Sequence, residues 1–594
     1  MLLLLTFALA AASAVVLGAV VRRAAAAVGA VVPPRADRWH DSPTPTMGGV
    51  AIAAATAIGF LVVVVEPEVL PWADTWIPVP MAALAMFTVG VLDDRLQLSP
   101  LAKLVSSLIV GAFLVFALSR GLPEGLTSVQ TLVATVWFAG LCHAVNLLDN
   151  MDGLAAGVAL IAALLLAALL FDPLGPALVL LLTSLAGALL GFLYWNRNRA
   201  RLFMGDCGSL FIGALLGGSA LVPVVSAGNA FADPALLAVV ILVVPLFDTG
   251  FVLVLRRLAG RPATRGGTDH VSHRLVSLGF SERSAVRILY LLGIVGGATA
   301  WGLRLSGVDS VLPLAALFGV VVMLLGIYLA RVPAYNAEDF LALQKSSFAP
   351  FLKDLTFRWH AGQVMLDLVL IPACYYFAYR LRFEGEDLQN FLPSFTASLP
   401  VVLAVKLASM YVSGLYQRSW GTFGLRDLAA VVRGVGLGSI LSVLAAAYFY
   451  RLEGFSRLVF ILDFMLFSAA VVATRASFRT MNLVAATRSK RNRRVLVYGA
   501  GAFGQLLVRE MRANPDWNMN PVAFIDDDPM KARRWIVGVP VRGSLGQLEH
   551  ALSRYEIDEV ILSSPRINGS IEDRIREVCG HREMPVRRLH MSIR

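Results

Sequence analysis

The chain has 594 residues, of which 57% are hydrophobic and 15% charged, and its mean hydropathy is +0.71. This composition excludes a water-soluble multidomain protein and indicates a polytopic α-helical membrane protein. The formal charge of +11 is expected to reflect membrane topology and attraction to anionic lipid and phosphate, so nucleic-acid binding is not predicted. The four cysteines show no paired spacing, which argues against a disulfide framework or a zinc site: Cys142, Cys207, Cys374 and Cys579.

Long apolar runs predict about fifteen transmembrane helices, most of roughly 18 residues or more and some shorter. The first run is followed by Arg22 and Arg23 rather than preceded by basic residues, which favours a retained span that starts outside over a cleaved signal peptide. The runs are 2–21, 48–65, 78–92, 100–118, 127–148, 154–171, 174–195, 208–226, 234–255, 284–304, 310–330, 362–379, 396–415, 428–450 and 457–483.

If the first span starts outside, successive loops lie alternately on the inner and outer sides of the membrane. The distribution of arginine between the loops agrees with this topology. Outer loops 66–77, 119–126 and 227–233 contain almost no Lys or Arg. The excess of positive charge in the other loops predicts that they lie on the cytoplasmic side of the membrane. These inner loops hold Arg35, Arg38, Arg95, Arg197, Arg199, Arg201, Arg256, Arg257, Arg261, Arg265 and Arg274.

The first inner stretches carry a glycine turn and an acidic pair. The TPTMGG segment runs from Thr44 to Gly49, and its glycines suit either close approach to a phosphate or helix, or an ordinary turn before a span. Asp93 and Asp94 end the third run, with Lys103 at the start of the fourth. Adjacent carboxylates suit a cation or proton transfer, although a solvated acidic turn remains the alternative.

The fifth run leads into NLLDNMDGL, where Asn146, Asp149 and Asp152 follow at steps of three residues. On a helix this spacing predicts one face of stacked oxygen acceptors, which suits Mg²⁺. The alternative is a helix that ends before Gly153 with solvated polar residues.

Further polar stretches follow at inner positions. Asn196 to Ser209 reads NRNRARLFMGDCGS and includes Asp206, while Asp248 lies within the ninth run. The loop after that run contains Asp269, His270, His273 and Arg274. Together the separate acidic stretches favour a phosphoryl-transfer site. A non-catalytic scaffold and a transporter are the competing classes, but acids at helix ends rather than at midspan argue against transport.

These motifs, in this order, resemble those of the polyprenyl-phosphate N-acetylhexosamine-1-phosphate transferase family over residues 1 to about 331. The resemblance rests on TPTMGG, the Asp93-Asp94 pair, NLLDNMDGL, the Asn196 to Ser209 stretch and HVSHRL. It implies transfer of a sugar 1-phosphate from a UDP-sugar to polyprenyl (undecaprenyl) phosphate with release of UMP, as the initiating step of cell-surface polysaccharide synthesis. It also implies dependence on Mg²⁺, with Mn²⁺ as a substitute.

The resemblance assigns roles to residues of this chain. It implies that Asp206 is the principal metal ligand, assisted by Asn146, and that Asp93 and Asp94 orient or deprotonate the lipid phosphate. The implied substrate-binding residues are Lys103 and Asp149 near the diphosphate, Asp152, Asn196 and Phe203 at the uridine, and His270, His273 and Arg274 at the sugar or its phosphate. Ser272, Cys207 and Asp41 depart from the family pattern, which affects the identity of the sugar more than the type of reaction.

The second half is predicted to contain a cytoplasmic linker at 332–360, which suits an amphipathic surface helix, a four-helix membrane domain at 361–490, and a cytoplasmic α/β domain at 491–594. Strand, glycine turn and helix signals from Val495 contain Gly499, Gly501 and Gly504, with Asp526 after the next strand. This pattern predicts a Rossmann-like domain that binds NAD or another nucleotide.

Residues 350–594 are also similar to the membrane and first nucleotide-binding portion of polytopic nucleotide-sugar 4,6-dehydratases. The Tyr-x-x-x-Lys pair of those enzymes is absent, since Lys531 is the only lysine beyond Val495 and no tyrosine precedes it by four residues. An accessory or regulatory module, a docking module and a structural remnant are the readings left open. Self-association into a homo-oligomer is left open as well.

Overall fold

The computed structural model describes most of the chain. The residues outside the description are 34–42, 65–75, 121–124, 172–175, 198, 229–231, 259–266, 268, 307, 331–354, 384, 417–424, 453, 489–492, 514–516, 518, 533, 564–568, 583 and 590–594. Most of the predicted linker 332–360 therefore lies outside the described residues, as do Arg35, Arg38, Asp41, Arg261 and Arg265.

Helices in residues 1–330 follow the predicted apolar runs. They are α1 (Leu2–Ala27), α2 (Gly48–Val64), α3 (Pro78–Leu96), α4 (Pro100–Ser119), α5 (Ser128–Leu148), α6 (Leu154–Leu169), α7 (Pro176–Asn196), α8 (Gly205–Ser226), α9 (Ala232–Ile241), α10 (Val243–Leu258), α11 (Val271–Ser277), α12 (Glu282–Ser306) and α13 (Val308–Ala330). A short antiparallel pair joins β1 (Val31–Val32) to β2 (Thr44–Pro45).

The number of helices long and apolar enough to cross a membrane is ten in the described part of the chain, or eleven if one bent pair is a single span. This is fewer than the fifteen predicted. Three apolar helices are shorter, at Gly48–Leu61, Leu154–Leu169 and Ala315–Ala330. Helix α3 also falls outside the set, and it ends in the charged residues Asp93, Asp94 and Arg95. The mostly helical, multi-pass architecture agrees with a polytopic membrane protein.

The ninth predicted run forms two helices instead of one continuous helix. Helices α9 and α10 meet at an angle of 80° around Leu242. Pro245 explains the break, because it has no backbone N–H for the carbonyl of Ile241 and its ring collides with that carbonyl in a regular helix. The bend directs α10, and with it Asp248, along a separate axis.

Helix α8 is the centre of the first helical region. It packs against α2, α3, α5 and α9, and 94% of its most apolar 18-residue window is buried. Small residues permit this close packing. A Cβ added to Gly213 would lie 2.7 Å from the Cα of Cys142, and one added to Gly90 would lie 2.4 Å from the Cα of Cys207.

A second group of helices follows, consisting of α14 (Leu355–Arg382), α15 (Gly385–Val412), α16 (Leu425–Tyr450) and α17 (Arg457–Arg488). Two ion pairs connect α17 to this group. Lys406 Nζ lies 2.5 Å from Asp463 Oδ2, and Arg475 Nη2 lies 2.8 Å from Asp367 Oδ2. All four side chains are at most 1% exposed. Charges of this kind at membrane depth are stable only when they are paired.

The chain divides into two compact units, Met1–Phe478 and Arg479–Arg594. The second contains a four-stranded parallel sheet in the order β4-β3-β7-β8, the small open sheet that the strand pattern predicts. Apolar clusters built on Leu496 and Val497 alternate between its two faces. The elements are β3 (Arg493–Tyr498), α18 (Ala502–Ala513), β4 (Met519–Ile525), β5 (Trp535–Ile536), β6 (Val539–Pro540), α19 (Leu548–Arg554), β7 (Glu559–Leu562), α20 (Gly569–Gly580) and β8 (Val586–Arg588).

Candidate active site

Lys103 lies between two carboxylates that come from different helices. Its Nζ is 2.7 Å from Asp93 Oδ2 and 3.0 Å from Asp206 Oδ2. Asp93 stands in the last turn of α3, Lys103 in the first turn of α4 and Asp206 in the first turn of α8. Asp206 is 32% exposed and Asp93 only 7%, so the Asp206 carboxylate is the one open to a ligand.

Asp94 caps the beginning of helix α8. Its Oδ1 accepts a hydrogen bond from Asp206 N at 2.9 Å, and its Oδ2 accepts one from Cys207 N at 3.1 Å. The first N–H groups of a helix have no partner within the helix, and the positive end of the helix dipole favours a carboxylate there. Both oxygens of Asp94 are therefore used to hold the turn that carries Asp206.

The TPTMGG segment packs against the same turn. Phe203 N donates to Pro45 O, and Gly48 N donates back to Phe203 O, each at 2.8 Å. A Cβ added to Gly49 would lie 2.1 Å from the backbone nitrogen of Gly208. Of the alternatives that the sequence leaves open, these contacts favour close approach of the glycines to another helix.

The predicted stripe of three acceptors on one helical face is wrong. Helix α5 ends at Leu148, Asp149 is its C-cap, and Asp152 lies in the turn that follows. Gly153 adopts φ +76, a left-handed conformation that ends the helical path before α6. Only Asn146 remains on the helix.

Asn146 faces the cluster at the start of α8. Its Nδ2 donates to Ser209 Oγ at 2.8 Å, and its amide also interacts with the Asp206 side chain. His143 lies one turn earlier on α5, and its Nε2 is 3.1 Å from the Oγ of Ser107. Ser209 closes the Asn196 to Ser209 stretch but receives no role of its own from the sequence. The sequence pattern misses His143 and Ser107, because isolated polar residues inside apolar helices carry no spacing signal.

Asp152 and Asn196 connect the turn after α5 to the loop after α7. Asp152 Oδ2 accepts from Ala200 N at 2.7 Å. Asn196 accepts from Gly153 N at 3.0 Å and donates to Leu202 O at 3.2 Å. The residues predicted to hold uridine thus fix the two loops beside Asp206. The other predicted contacts from these loops, Asp149 and Phe203, are half-buried.

A second polar cluster forms around the break before α10. Asp248 Oδ2 lies 2.7 Å from His270 Nδ1, and Asp248 Oδ1 accepts from Val271 N at 2.8 Å. His270 and His273 are 4% and 7% exposed, respectively. Both histidine side chains are therefore buried in this cluster.

Arg256 and Arg274 fix the start of α11. Arg256 donates two hydrogen bonds to Asp269, of 2.8 and 2.7 Å. Arg274 donates to Asp269 O and to Leu329 O, both at 3.0 Å. Burial alone would raise the pKa of Asp269, but the Arg256 guanidinium outweighs burial and the pKa is lowered. The carboxylate is therefore held in its charged form.

Asn150 links the two clusters. Ser272 Oγ donates to Asn150 Oδ1 at 2.7 Å, and Asn150 lies only four residues beyond Asn146. The C-terminal end of α5 thus contacts the Asp206 cluster and the histidine segment. Asn150 stands within NLLDNMDGL, where the sequence assigns roles only to Asn146, Asp149 and Asp152.

No three His, Cys, Asp or Glu side chains in the described ranges are grouped closely enough to enclose a metal ion. In the first cluster the Lys103 ammonium lies between the carboxylates of Asp93 and Asp206. Oxygen ligands of this kind fit a hard divalent cation, and Mg²⁺ commonly takes one or two carboxylates and completes its shell with water and substrate phosphate.

In the α/β unit, the glycine turn after β3 has the expected shape. Gly499 adopts φ +97, and a Cβ on Gly504 would lie 1.9 Å from Gly499 O. Asp526 Oδ2 accepts from Ala500 N at 2.7 Å and lies 3.1 Å from Lys531 Nζ. The acid that follows the second strand of the pattern thus holds the glycine turn. A Cβ on Gly501 would meet nothing within 4 Å, so that position faces open space.

Comparison with known proteins agrees with these clusters. The family model "Glycosyl transferase family 4" matches residues 76–224, which include Asp93, Asp94, Lys103, Asn146 and Asp206. A second model, described as "CoA-binding domain", matches residues 412–580. A solved structure described as "Crystal structure of RSP in complex with beta-NADH" covers 29% of this chain and 80% of its own, at 15% identity and a TM-score of 0.15, too low to support an argument about fold.

Relatives of known name support the first match. A Bacillus subtilis protein named "Probable undecaprenyl-phosphate N-acetylglucosaminyl 1-phosphate transferase" is 32% identical over 286 residues, covering 46% of this chain and 77% of the relative. A Mycolicibacterium smegmatis "Decaprenyl-phosphate N-acetylglucosaminephosphotransferase" is 34% identical, covering 46% and 75%. A Synechococcus "Phospho-N-acetylmuramoyl-pentapeptide-transferase" is 35% identical, covering 43% and 79%. The chain therefore belongs to the polyprenyl-phosphate N-acetylhexosamine-1-phosphate transferase family.

Proposed function

We propose that this protein transfers an N-acetylhexosamine 1-phosphate from a UDP-sugar to polyprenyl phosphate and releases UMP, as the first step in building a cell-surface glycan. The observation that carries the proposal is the half-open Asp206 carboxylate, held at the start of α8 by Asp94 and Lys103. The names of the relatives support polyprenyl phosphate and N-acetylglucosamine 1-phosphate as the substrate chemistry.

In the proposed reaction, an oxygen of the acceptor phosphate attacks the β-phosphorus of the UDP-sugar. A new pyrophosphate P–O bond forms, the bond from the β-phosphorus to the bridging oxygen breaks, and UMP leaves with the electron pair. Positioning and stabilisation of negative charge supply most of the catalysis in such transfers. The Lys103 ammonium lies 3.0 Å from Asp206 and supplies positive charge where the diphosphate would bind.

A divalent cation, Mg²⁺ or Mn²⁺, is part of the proposal. Asp206, with Asn146 beside it, would hold the ion, and the bound ion would neutralise charge on the phosphates. The oxygen donors at this point fit that role, whereas a dedicated protein cage is not required.

The two adjacent acids take different roles in this proposal. Asp93 directs the Lys103 ammonium toward Asp206 and is the group placed to receive a proton from a protonated acceptor phosphate. Asp94 positions the turn of Asp206. The loops that Asp152 and Asn196 fix bind the nucleotide, together with Asp149 and Phe203. The segment of His270, His273 and Arg274 recognises the sugar phosphate.

The decisive experiment measures UMP release by the full chain from a panel of UDP-sugars with undecaprenyl phosphate. We expect Asp206→Asn to lower the rate by at least about a hundredfold, as when a charge-stabilising group is lost from an active site. Asp233→Asn, at the start of α9, is the matched control and should have no effect. Equal rates in wild type and Asp206→Asn would instead favour a non-catalytic scaffold. Removal of divalent ions with EDTA should also stop the reaction, and added Mg²⁺ should restore it.

The membrane orientation is also proposed. Arginines gather in the loops that carry the acidic motifs, which supports a site on the cytoplasmic side of a bacterial inner membrane. Cysteine substitution at exposed Arg197, labelled in intact cells by a membrane-impermeant thiol reagent, provides the test. Labelling only after the cells are opened is expected, and labelling of intact cells would reverse the assignment.

For the second half, we propose an accessory module that binds a nucleotide at the glycine turn after β3. Open space at Gly501 supports this assignment, because a phosphate could approach the backbone there. The family match to a CoA-binding domain makes CoA a candidate ligand beside NAD and UDP-sugars. The similarity to 4,6-dehydratases stays a prediction.

The ligand of this module can be found by measuring thermal shifts of the full chain with each compound. Gly501→Val should abolish the shift without lowering the melting temperature of the free protein, because the added side chain enters open space. The matched substitution Gly580→Val also enters open space but lies at the C-terminal end of α20, at the opposite edge of the sheet, and it should leave the shift intact. A shift that survives Gly501→Val would contradict this site.

A further inference from the structure

A basic cleft lies beside the candidate active site, at the end of helix α1. Its volume is about 380 Å³. It is lined by Arg22, Arg23, Ala26, Pro43, Thr44, Pro45, Ala200 and Arg201. Three of the eight lining residues are arginines and none is acidic, so the cleft has the charge that suits an anion.

Trp195 brings two of these arginines together. The guanidinium of Arg22 lies 5.2 Å from the centroid of the Trp195 ring, and that of Arg201 lies 4.9 Å from it. The ring itself is fixed, because its Nε1 donates to Val15 O at 3.0 Å and it packs directly over Gly18. The positive charges are therefore held in place by the fold instead of moving freely in solvent.

Converging positive charges are unfavourable unless an anion or high solvent polarity offsets them. In the part of the chain that the structure describes, no carboxylate forms an ion pair with Arg22, Arg23 or Arg201. Hydrogen bonds from Arg201 go to backbone oxygens, with its Nη2 2.9 Å from Tyr194 O. The guanidinium groups thus retain capacity for a bidentate anion such as phosphate.

The position of the cleft favours a lipid as the source of that phosphate. Arg22 and Arg23 directly follow the apolar part of α1, a candidate membrane span. Val16 and Val20 on the same helix are 63% and 55% exposed, so they face the surroundings of the bundle. Tyr194 and Trp195 at the end of α7 are the aromatic types enriched where a membrane meets water.

We propose that this cleft binds the phosphate headgroup of an anionic membrane lipid, with the acyl chains along the apolar face of α1. The headgroup would contact Arg22, Arg23 and Arg201 and lie next to Thr44 and Pro45, the start of the TPTMGG segment. The site is separate from Lys103 and Asp206, so it does not depend on the proposed transfer reaction.

The test is native mass spectrometry of the full chain in neutral detergent, titrated with phosphatidylglycerol or with phosphatidylcholine. We expect tighter binding of phosphatidylglycerol. Arg22→Gln with Arg23→Gln should weaken that binding by about tenfold or more, because each basic residue near a lipid surface contributes appreciably to the attraction. The matched control is Arg120→Gln with Arg304→Gln, which removes two arginines that also stack on aromatic rings, Phe116 and Trp301.

A single Arg23→Gln variant separates loss of binding from loss of folding, since Arg23 is exposed and the arginines that stack on the Trp195 ring are Arg22 and Arg201. It should weaken phosphatidylglycerol binding by several-fold. Equal binding of both lipids, or equal losses in the two double variants, would overturn the proposal. Competition by inorganic phosphate or glycerol phosphate at similar concentrations would also overturn it, because the ligand would then be a soluble phosphate.

Discussion

The carboxylate of Asp94 holds the backbone of Asp206, with Asp94 Oδ1 2.9 Å from Asp206 N. The two acids lie 112 positions apart in the chain, yet one fixes the helix turn from which the other projects. This contact separates the acid that positions the site from the acid that is open to a ligand.

Asp94→Asn should therefore lower the transfer rate by displacing Asp206 from its position. Asparagine keeps the shape but loses the charge and presents an NH₂ group to one backbone N–H. We expect a loss of about 1–2 kcal/mol in the free energy of unfolding, as for removal of a helix cap, and a fall in transfer rate of about ten- to a hundredfold. Thermal unfolding and UMP release measure the two effects. Abolished activity with unchanged stability would mean that Asp94 acts directly in the chemistry.

Lys103→Met should make the protein more dependent on divalent cations for stability. The substitution leaves the carboxylates of Asp93 and Asp206 facing each other without their shared ammonium group. Added Mg²⁺ should then raise the melting temperature of the variant more than that of wild type. The control Lys103→Arg retains the charge and should respond like wild type. An identical Mg²⁺ response in all three proteins would exclude an ion between these carboxylates.

Removing one partner of a buried ion pair in the second helical group should strongly lower the free energy of unfolding. Lys406 and Asp463 are 0% and 1% exposed, so Lys406→Met alone leaves an uncompensated charge and should cost about 3–5 kcal/mol. Lys406→Met with Asp463→Leu removes both charges and should recover most of the loss. Unfolding in mild detergent across the double-mutant cycle measures the coupling. Additive losses would show that the pair does not stabilise the bundle.

Close backbone approach makes Gly49 intolerant of any side chain. Gly49→Ala would place a Cβ 2.1 Å from Gly208 N, which must push helix α8 away and disturb Asp206. We expect lower melting temperature and lower UMP release. Gly140→Ala is the matched control, because its Cβ meets nothing within 4 Å and alanine favours a helix by up to about 1 kcal/mol. Similar behaviour of the two variants would contradict the packing argument.

The glycine turn of the α/β unit should loosen in acid. Burial would raise the pKa of Asp526, but hydrogen bonds from Asp528 and Ala500 and the Lys531 ammonium outweigh it, so the pKa is lowered from 3.8. A lowered pKa means that this carboxylate stabilises the fold above about pH 4 and that its contribution is lost as the pH falls through the lowered value.

Hydrogen exchange of the peptide containing Ala500 follows this transition. Lys531→Met should move the transition to higher pH, because the ammonium that lowers the pKa of Asp526 is gone. Asp573→Asn, on helix α20, is the control and should leave the transition unchanged. A transition that does not respond to Lys531→Met would remove Asp526 as its cause.

The sequence predicts the helical membrane architecture well because apolar length is a local property. It also identifies the acids that meet at α8, since Asp93, Asp94 and Asp206 stand at the ends of apolar runs. What it cannot supply is the direction of each side chain. Spacing alone suggested one stripe for Asn146, Asp149 and Asp152, whereas the helix ends between the first and second of them.

The broken ninth span shows another limit. Pro245 was visible in the sequence, but hydropathy averages over a window and treats the run as uniform. Hydrophobic periodicity also does not predict contacts between small residues that are distant in the sequence, such as Gly90 with Cys207. A single glycine in a helical pattern indicates only a locally less stable helix. The hydrogen bond of 2.7 Å from Ser272 Oγ to Asn150 Oδ1 likewise joins residues that are distant in the sequence, so only the fold reveals it.

The glycine contacts around the first turn of α8 have a consequence for how this enzyme can diversify. Gly49 packs against the backbone of Gly208, and Gly90 packs against that of Cys207, so most amino-acid changes at these glycines are expected to prevent folding before they could alter the site. A change in the proposed sugar preference is therefore expected in connecting segments outside this glycine core, where side chains can change while the central scaffold stays the same.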